Sequence, residues 1–198
     1  MKLGDKLSTL VGENVKEKFK IKPLPFIPTK NEVDYDVEAK LFNGNYKKQN
    51  LTQVLSNIYN YYQNTSPKFK DLLDRISLLN SYTKASIKIV SEKDLVNKDT
   101  LMQYNAATNE ILISPARLVG QSVDAIAEGI LHEVVHSVTV GTLQSDSLES
   151  KLLRSRLQTI FNEFKMSENS DSYGFSSLEE FVAEAFTSKE FQKELKNT

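Results

Sequence analysis

Length, composition and charge place the chain in a broad class before any motif is considered. Its 198 residues are 39% hydrophobic and 26% charged, which is typical of a soluble globular protein with one domain, with or without an arm. The 25 basic and 26 acidic residues nearly cancel, so charge gives no reason to expect binding to nucleic acid or to a membrane. The absence of cysteine excludes disulfides, thiolate metal sites and a cysteine nucleophile.

The first 35 residues differ from the rest of the chain. An amphipathic stretch over residues 7–19 leads into Pro23-Leu-Pro25-Phe-Ile-Pro28, whose prolines favour an extended connector. We expect residues 1–35 to form an arm or connector, which packs on the main domain or tethers another module, and residues 36–198 to form that domain. The chain shows no signal peptide and no transmembrane stretch, so we expect a cytoplasmic location unless it is trimmed or belongs to a larger exported protein.

The middle of the chain predicts two helices and a small sheet. The first helix covers about residues 51–62, with Asn50 as its cap, and the second begins at Ser66-Pro67. Residues 86–90 alternate as a strand does, and residues 101–104 and 110–114 predict a hairpin.

Three further helices are predicted to close the chain. The first is capped by Ser122 and ends near Gly141, and the second covers about residues 148–165. The third begins at Ser176 or Ser177 and continues to the end. Helices before and after a small antiparallel sheet predict an α+β fold that is mostly helical.

The segment Leu131-His132-Glu133-Val134-Val135-His136 carries the strongest chemical signal. Its His-Glu-x-x-His pattern lies in a predicted helix, where residues four apart point the same way and can share one ion. His132 and His136 are also the only two histidines of the chain. Neutral imidazole suits Zn²⁺, and the carboxylate of Glu133 would lie beside the metal, where it can take a proton from an activated water. The alternative is a pair of histidines on a helix surface or in the core, with no ligand role.

A third metal ligand has to be a carboxylate or a tyrosine, because no third histidine exists. Glu180 and Glu184 lie four residues apart on the last predicted helix and therefore share one face. One of them could bind the ion while the other accepts the remaining ring N–H of a ligand histidine.

Helix capping is the competing explanation for these glutamates. Ser176-x-x-Glu179 and Ser177-x-x-Glu180 both match the capping-box pattern, so either glutamate could cap the helix. The two explanations are compatible if Ser176 and Glu179 form the cap and Glu180 binds the metal.

The stretch from Ser172 to Phe186 resembles the end of the catalytic domain of anthrax lethal factor and its relatives, which include the clostridial Pro-Pro endopeptidases, of the gluzincin type. In that family a Tyr-Gly element precedes the ligand glutamate by seven positions, and Tyr173 and Glu180 reproduce this spacing. The resemblance covers roughly residues 100–190. It departs from the family at Val134-Val135, where those relatives often carry Phe-Gly.

The resemblance implies a zinc-dependent endopeptidase with one Zn²⁺ per chain and a peptide or protein substrate. Glu133 would be the general base, and the Tyr173 hydroxyl would donate to the oxyanion of the tetrahedral intermediate. Glu184 would hydrogen-bond to a ligand histidine. The metal ligands would be His132, His136 and Glu180.

Two interpretations therefore follow from the sequence. The first is an active peptidase in which the substrate lies along the strand of residues 110–114 as an added strand. The second is a non-catalytic, metal-stabilised interaction module of a toxin, phage or multi-domain assembly. Glu133 and Tyr173 favour the first, because a purely structural zinc site needs neither.

Overall fold

The computed structural model describes residues 40–42, 50–65, 70–96, 100–168 and 172–197. Helices dominate these residues, and a three-stranded sheet completes the mostly helical α+β fold that the sequence predicts. The described residues form two compact units, one of residues 40–137 and one of residues 138–197. The arm predicted for residues 1–35 lies outside the described residues. Among the described helices, none has both the length and the apolar character that crossing a membrane requires.

The first unit opens with helix α1, Leu51–Thr65, as the apolar spacing predicts. The side-chain oxygen of Asn50 caps it by accepting the Thr52 backbone N–H at 2.9 Å. Its apolar face is buried at Leu51, Val54, Leu55, Ile58 and Tyr62. Helix α2 is Lys70–Tyr82, and its predicted start at Ser66-Pro67 lies outside the described residues.

The sheet consists of β1 (Ser86–Ile89), β2 (Met102–Asn105) and β3 (Glu110–Ile113) in the order β1-β3-β2. Strands β2 and β3 form the predicted antiparallel hairpin, but β1 runs parallel to β3. The prediction of a purely antiparallel sheet is therefore wrong. Strand β3 is the most buried of the three, and the central position of the sheet suits its apolar sequence.

The central position of β3 also corrects the predicted place of the substrate. Both of its edges are paired, with β1 on one side and β2 on the other. A peptide cannot add to a strand without a free edge, so residues 110–114 cannot take an added strand.

Helix α3 (Pro115–Leu118) leads into α4 (Val123–Gln144), the helix that carries both histidines. Ser122 caps α4 as predicted, because its hydroxyl accepts the Ala125 backbone N–H at 3.1 Å. The predicted end at Gly141 is wrong, since α4 continues for three more residues. Its apolar face continues past the glycine as well, because Leu143 is buried.

The second unit contains α5 (Leu148–Glu168), a 3₁₀ turn (Tyr173–Phe175), α6 (Leu178–Thr187) and α7 (Lys189–Asn197). The single helix predicted to run to the end is therefore two helices. Ser188 separates them by leaving helical geometry at φ −94° and ψ 117°. Its hydroxyl then accepts the Phe191 backbone N–H at 3.2 Å, so the same serine caps the start of α7.

Five aromatic rings form the core of this second unit, and we call them the phenylalanine cluster. Neighbouring rings have centroids 5.1–6.3 Å apart, within the range of favourable aromatic pairs. All five side chains are buried. The cluster joins α5, the 3₁₀ turn, α6 and α7 through Phe161, Phe164, Phe175, Phe181 and Phe191.

Candidate metal centre

Helix α4 holds the two histidines one turn apart with their ring nitrogens facing each other. The Nε2 atoms of His132 and His136 are 3.0 Å apart, and the ring centroids are 4.7 Å apart. His136 is buried and His132 is half-buried. The intervening Val134 and Val135 are buried, which fixes the rotation of the helix and hence the direction of both imidazoles.

The side chain of Glu133 is buried and is held by the edge of the sheet. Its Oε2 atom accepts the backbone N–H of Tyr104, in β2, at 2.6 Å. The N–H and C=O of one strand residue point to the same side, so Tyr104 directs both groups away from β3. This contact joins residues 29 positions apart, and no local sequence pattern indicates it.

A glycine one turn before Glu133 leaves room on α4 for the end of the Met102 side chain. A Cβ atom on Gly129 would be 3.1 Å from the terminal methyl carbon of Met102, tighter than most real Cβ contacts. Met102 is the first residue of β2, so the missing side chain at Gly129 lies where the strand meets the helix. This close packing accompanies the short bond from Tyr104 to Glu133.

The first turn of α4 is attached to α1 through a buried phenol. Burial, and then the negative charges of Asp124 and Glu128, raise the pKa of Tyr62 far above its usual range. The phenol therefore stays protonated and donates a hydrogen bond to Asp124. Since α4 is one continuous helix, this contact helps to fix the direction of the histidine face further along it.

Glu180 lies in the first turn of α6, and the structure selects one of the two serines that match the capping-box pattern. The N-cap is Ser177 rather than Ser176, and its hydroxyl accepts the Glu180 backbone N–H at 3.1 Å. This bond uses the main chain of Glu180 and not its carboxylate. Glu179 therefore does not form the cap with Ser176.

The three residues predicted as metal ligands come together. Within the described part of the chain, His132, His136 and Glu180 each offer one ligand atom, and these atoms all lie within 4.8 Å of one another. His132 and Glu180 are half-buried and His136 is buried. Their binding of a metal stays a prediction.

The two remaining predicted site residues lie in the second unit. Glu184 is one turn after Glu180 on α6 and is half-buried, while Tyr173 begins the 3₁₀ turn with 56% of its surface exposed. The predicted hydrogen bond from a histidine to Glu184, and the predicted action of the Tyr173 hydroxyl, remain predictions.

In comparisons with protein-family models, curated proteins and solved structures, nothing matches this chain. Function is therefore inferred from the motifs and from the geometry of the residues described above.

The Ser177 cap of α6 gives a prediction about stability. Ser177→Ala removes the acceptor of the Glu180 N–H and should lower the free energy of unfolding by about 1 kcal/mol. Ser176 is exposed, so Ser176→Ala is the matched control and should change the free energy of unfolding by less than about 0.5 kcal/mol. Urea unfolding of the two variants measures both values, and a larger loss for Ser176→Ala would contradict the assigned cap.

Proposed function

We propose that this protein is a zinc-dependent endopeptidase. The observation that carries the proposal is the histidine pair on one turn of α4, whose Nε2 atoms are 3.0 Å apart, with the buried carboxylate of Glu133 between the two histidines in sequence. The resemblance to the lethal factor catalytic domain supports the same assignment, since it was drawn from the motifs and not from the fold.

The ligand atoms offered by His132, His136 and Glu180 suit zinc. Two imidazole nitrogens and one carboxylate oxygen are a common ligand set of catalytic zinc sites, which leave a fourth position open. Two nitrogens bound tetrahedrally to zinc lie about 3.3 Å apart. The 3.0 Å separation of the two Nε2 atoms is close to this value, so the imidazoles need little movement.

Zinc bound by these residues would polarise the scissile carbonyl and lower the pKa of a water molecule, so that the water can lose a proton and attack the carbonyl at neutral pH. Glu133 would take the proton of that water on its carboxylate. The bond from the Tyr104 N–H to Oε2 supports this role, because it holds the carboxylate in one orientation. Glu133 would then pass the proton to the leaving amine.

Tyr173 would donate its phenolic hydrogen to the oxygen of the substrate carbonyl as negative charge develops there. Its exposed side chain is consistent with contact to a substrate. A donor of this kind stabilises the transition state more than the bound substrate, and losing one costs about 3 kcal/mol of activation energy.

The substrate peptide would lie along the outer edge of β2 rather than along β3. Among the described strands, β2 pairs only with β3; the Tyr104 C=O points away from that partner, and the Tyr104 N–H on the same side is bound to Glu133. An extended peptide added there would run beside Glu133. Affinity would come from backbone hydrogen bonds, as in other cases of strand addition.

The alternative of a non-catalytic, metal-stabilised module explains less of the site. The Glu133 carboxylate is buried, is held in one orientation by the Tyr104 N–H and does not belong to the ligand group. A structural zinc site would have no use for a carboxylate there.

Substitution should distinguish the roles of the three glutamates near the site. Glu180→Gln should lower zinc content, because it removes a charged ligand. Glu133→Gln should retain zinc but abolish cleavage, because an amide cannot take the proton. Glu179→Gln, the control in the same first turn of α6, should change neither. Elemental analysis and mass spectrometry of a digested peptide library measure both properties; loss of zinc in Glu179→Gln alone would move the ligand by one residue.

Tyr173→Phe tests the oxyanion donor, since it keeps the ring and removes only the hydroxyl. We expect kcat to fall about a hundredfold with KM nearly unchanged, because the hydroxyl acts on charge that develops in the transition state. Zinc content and melting temperature should match the parent protein. An unchanged kcat would remove Tyr173 from the catalytic residues.

A further inference from the structure

The 3₁₀ turn that begins with Tyr173 has one exposed and two buried residues. Tyr173 is 56% exposed, whereas Gly174 and Phe175 are buried. The turn is held from α5 as well, because the Lys165 ammonium group donates to the Phe175 carbonyl oxygen at 3.0 Å. The backbone beside Tyr173 is therefore anchored while its side chain points outward.

Gly174 lies against an aromatic ring of the last helix. A Cβ atom on Gly174 would be 2.5 Å from both Cε2 and Cζ of Phe191, and 2.9 Å from Cε1. Real Cβ atoms essentially never approach other atoms this closely. The ring of Phe191 thus occupies the space that any side chain at position 174 would need, and it touches the backbone next to Tyr173.

Phe191 is itself fixed by contacts that do not involve Tyr173. Its ring centroid is 5.1 Å from that of Phe175 and 5.6 Å from that of Phe181, the residue after Glu180. The start of α7 is tied to α6, because the Gln192 side-chain amide donates to the Ala185 carbonyl oxygen at 3.0 Å. A single ring therefore packs on both the turn of Tyr173 and the first turns of the Glu180 helix.

We propose that Phe191 is a positioning residue that sets where the Tyr173 hydroxyl lies, by packing against Gly174. This inference rests on the proposed peptidase function, because it assigns Phe191 a role through Tyr173. A ring fixed against Gly174 restricts the backbone that directs the neighbouring phenol. Displacing a catalytic group by about 1 Å can cost about a hundredfold in rate, so a distant packing residue can control turnover.

The first test adds a methyl group at position 174 and removes ring carbons at position 191, in the full-length, zinc-loaded protein. Gly174→Ala should lower kcat about tenfold or more without loss of zinc and with little change in KM, because the new methyl group meets the Phe191 ring. Phe191→Leu removes the distal ring carbons that the methyl group would meet. The double variant should therefore recover most of the lost kcat, and a double variant no better than Gly174→Ala would overturn the inference.

The second test asks whether the effect passes through the Tyr173 hydroxyl. In a Tyr173→Phe background, Gly174→Ala should lower kcat no further, because the group it displaces is already absent. An equal loss in both backgrounds would show a general structural effect and overturn the inference. If Gly174→Ala does not fold, Phe191→Leu made with and without Tyr173→Phe gives the same comparison.

A third measurement separates this inference from the proposed function. Fluorine NMR of protein labelled with 3-fluorotyrosine gives a Tyr173 resonance, assigned by its loss in Tyr173→Phe, without any substrate. Gly174→Ala should shift this resonance, and adding Phe191→Leu should return it towards the parent position. A resonance that does not move overturns the inference. If the resonance moves but the parent protein cleaves no peptide, only the peptidase function is contradicted.

Discussion

The site depends on two imidazole rings that one turn of α4 holds with their Nε2 atoms 3.0 Å apart. A helix places the two side chains on one face, one turn apart, wherever residues 132–136 are helical. The buried neighbours Val134 and Val135 then fix which way the pair points. The carboxylate of Glu133, which lies between the two histidines in sequence, is held by the Tyr104 N–H of β2.

Features set by neighbouring residues could be predicted from the sequence, and those set by distant contacts could not. The histidine helix, its Ser122 cap and the hairpin follow from spacing and from turn residues such as Asn109, which adopts a left-handed φ of 54°. The parallel direction of β1 depends on pairing across the sheet, which periodicity does not encode. The error at Gly141 has another cause, because the apolar face of α4 continues past the glycine to the buried Leu143. The error at Ser188 is the reverse, because the helix ends there without a glycine or a proline.

The same limit applies within the candidate site. Spacing suggested the histidine pair and placed Glu180 and Glu184 on one helix face, and the resemblance implied that Glu180 is the third ligand. Two contacts join positions that are distant in sequence, and no local pattern indicates either of them. The Tyr104 N–H binds Glu133, and Phe191 packs on Gly174.

The most direct test of the central claim is a crystal structure of the protein grown with zinc, with anomalous diffraction measured on both sides of the zinc absorption edge. The account predicts one strong zinc peak, about 2.0–2.2 Å from Nε2 of His132, Nε2 of His136 and a carboxylate oxygen of Glu180. The same crystals of His136→Ala protein should lack the peak. A zinc ion bound elsewhere, or no ion between these three residues in the parent protein, would contradict the account.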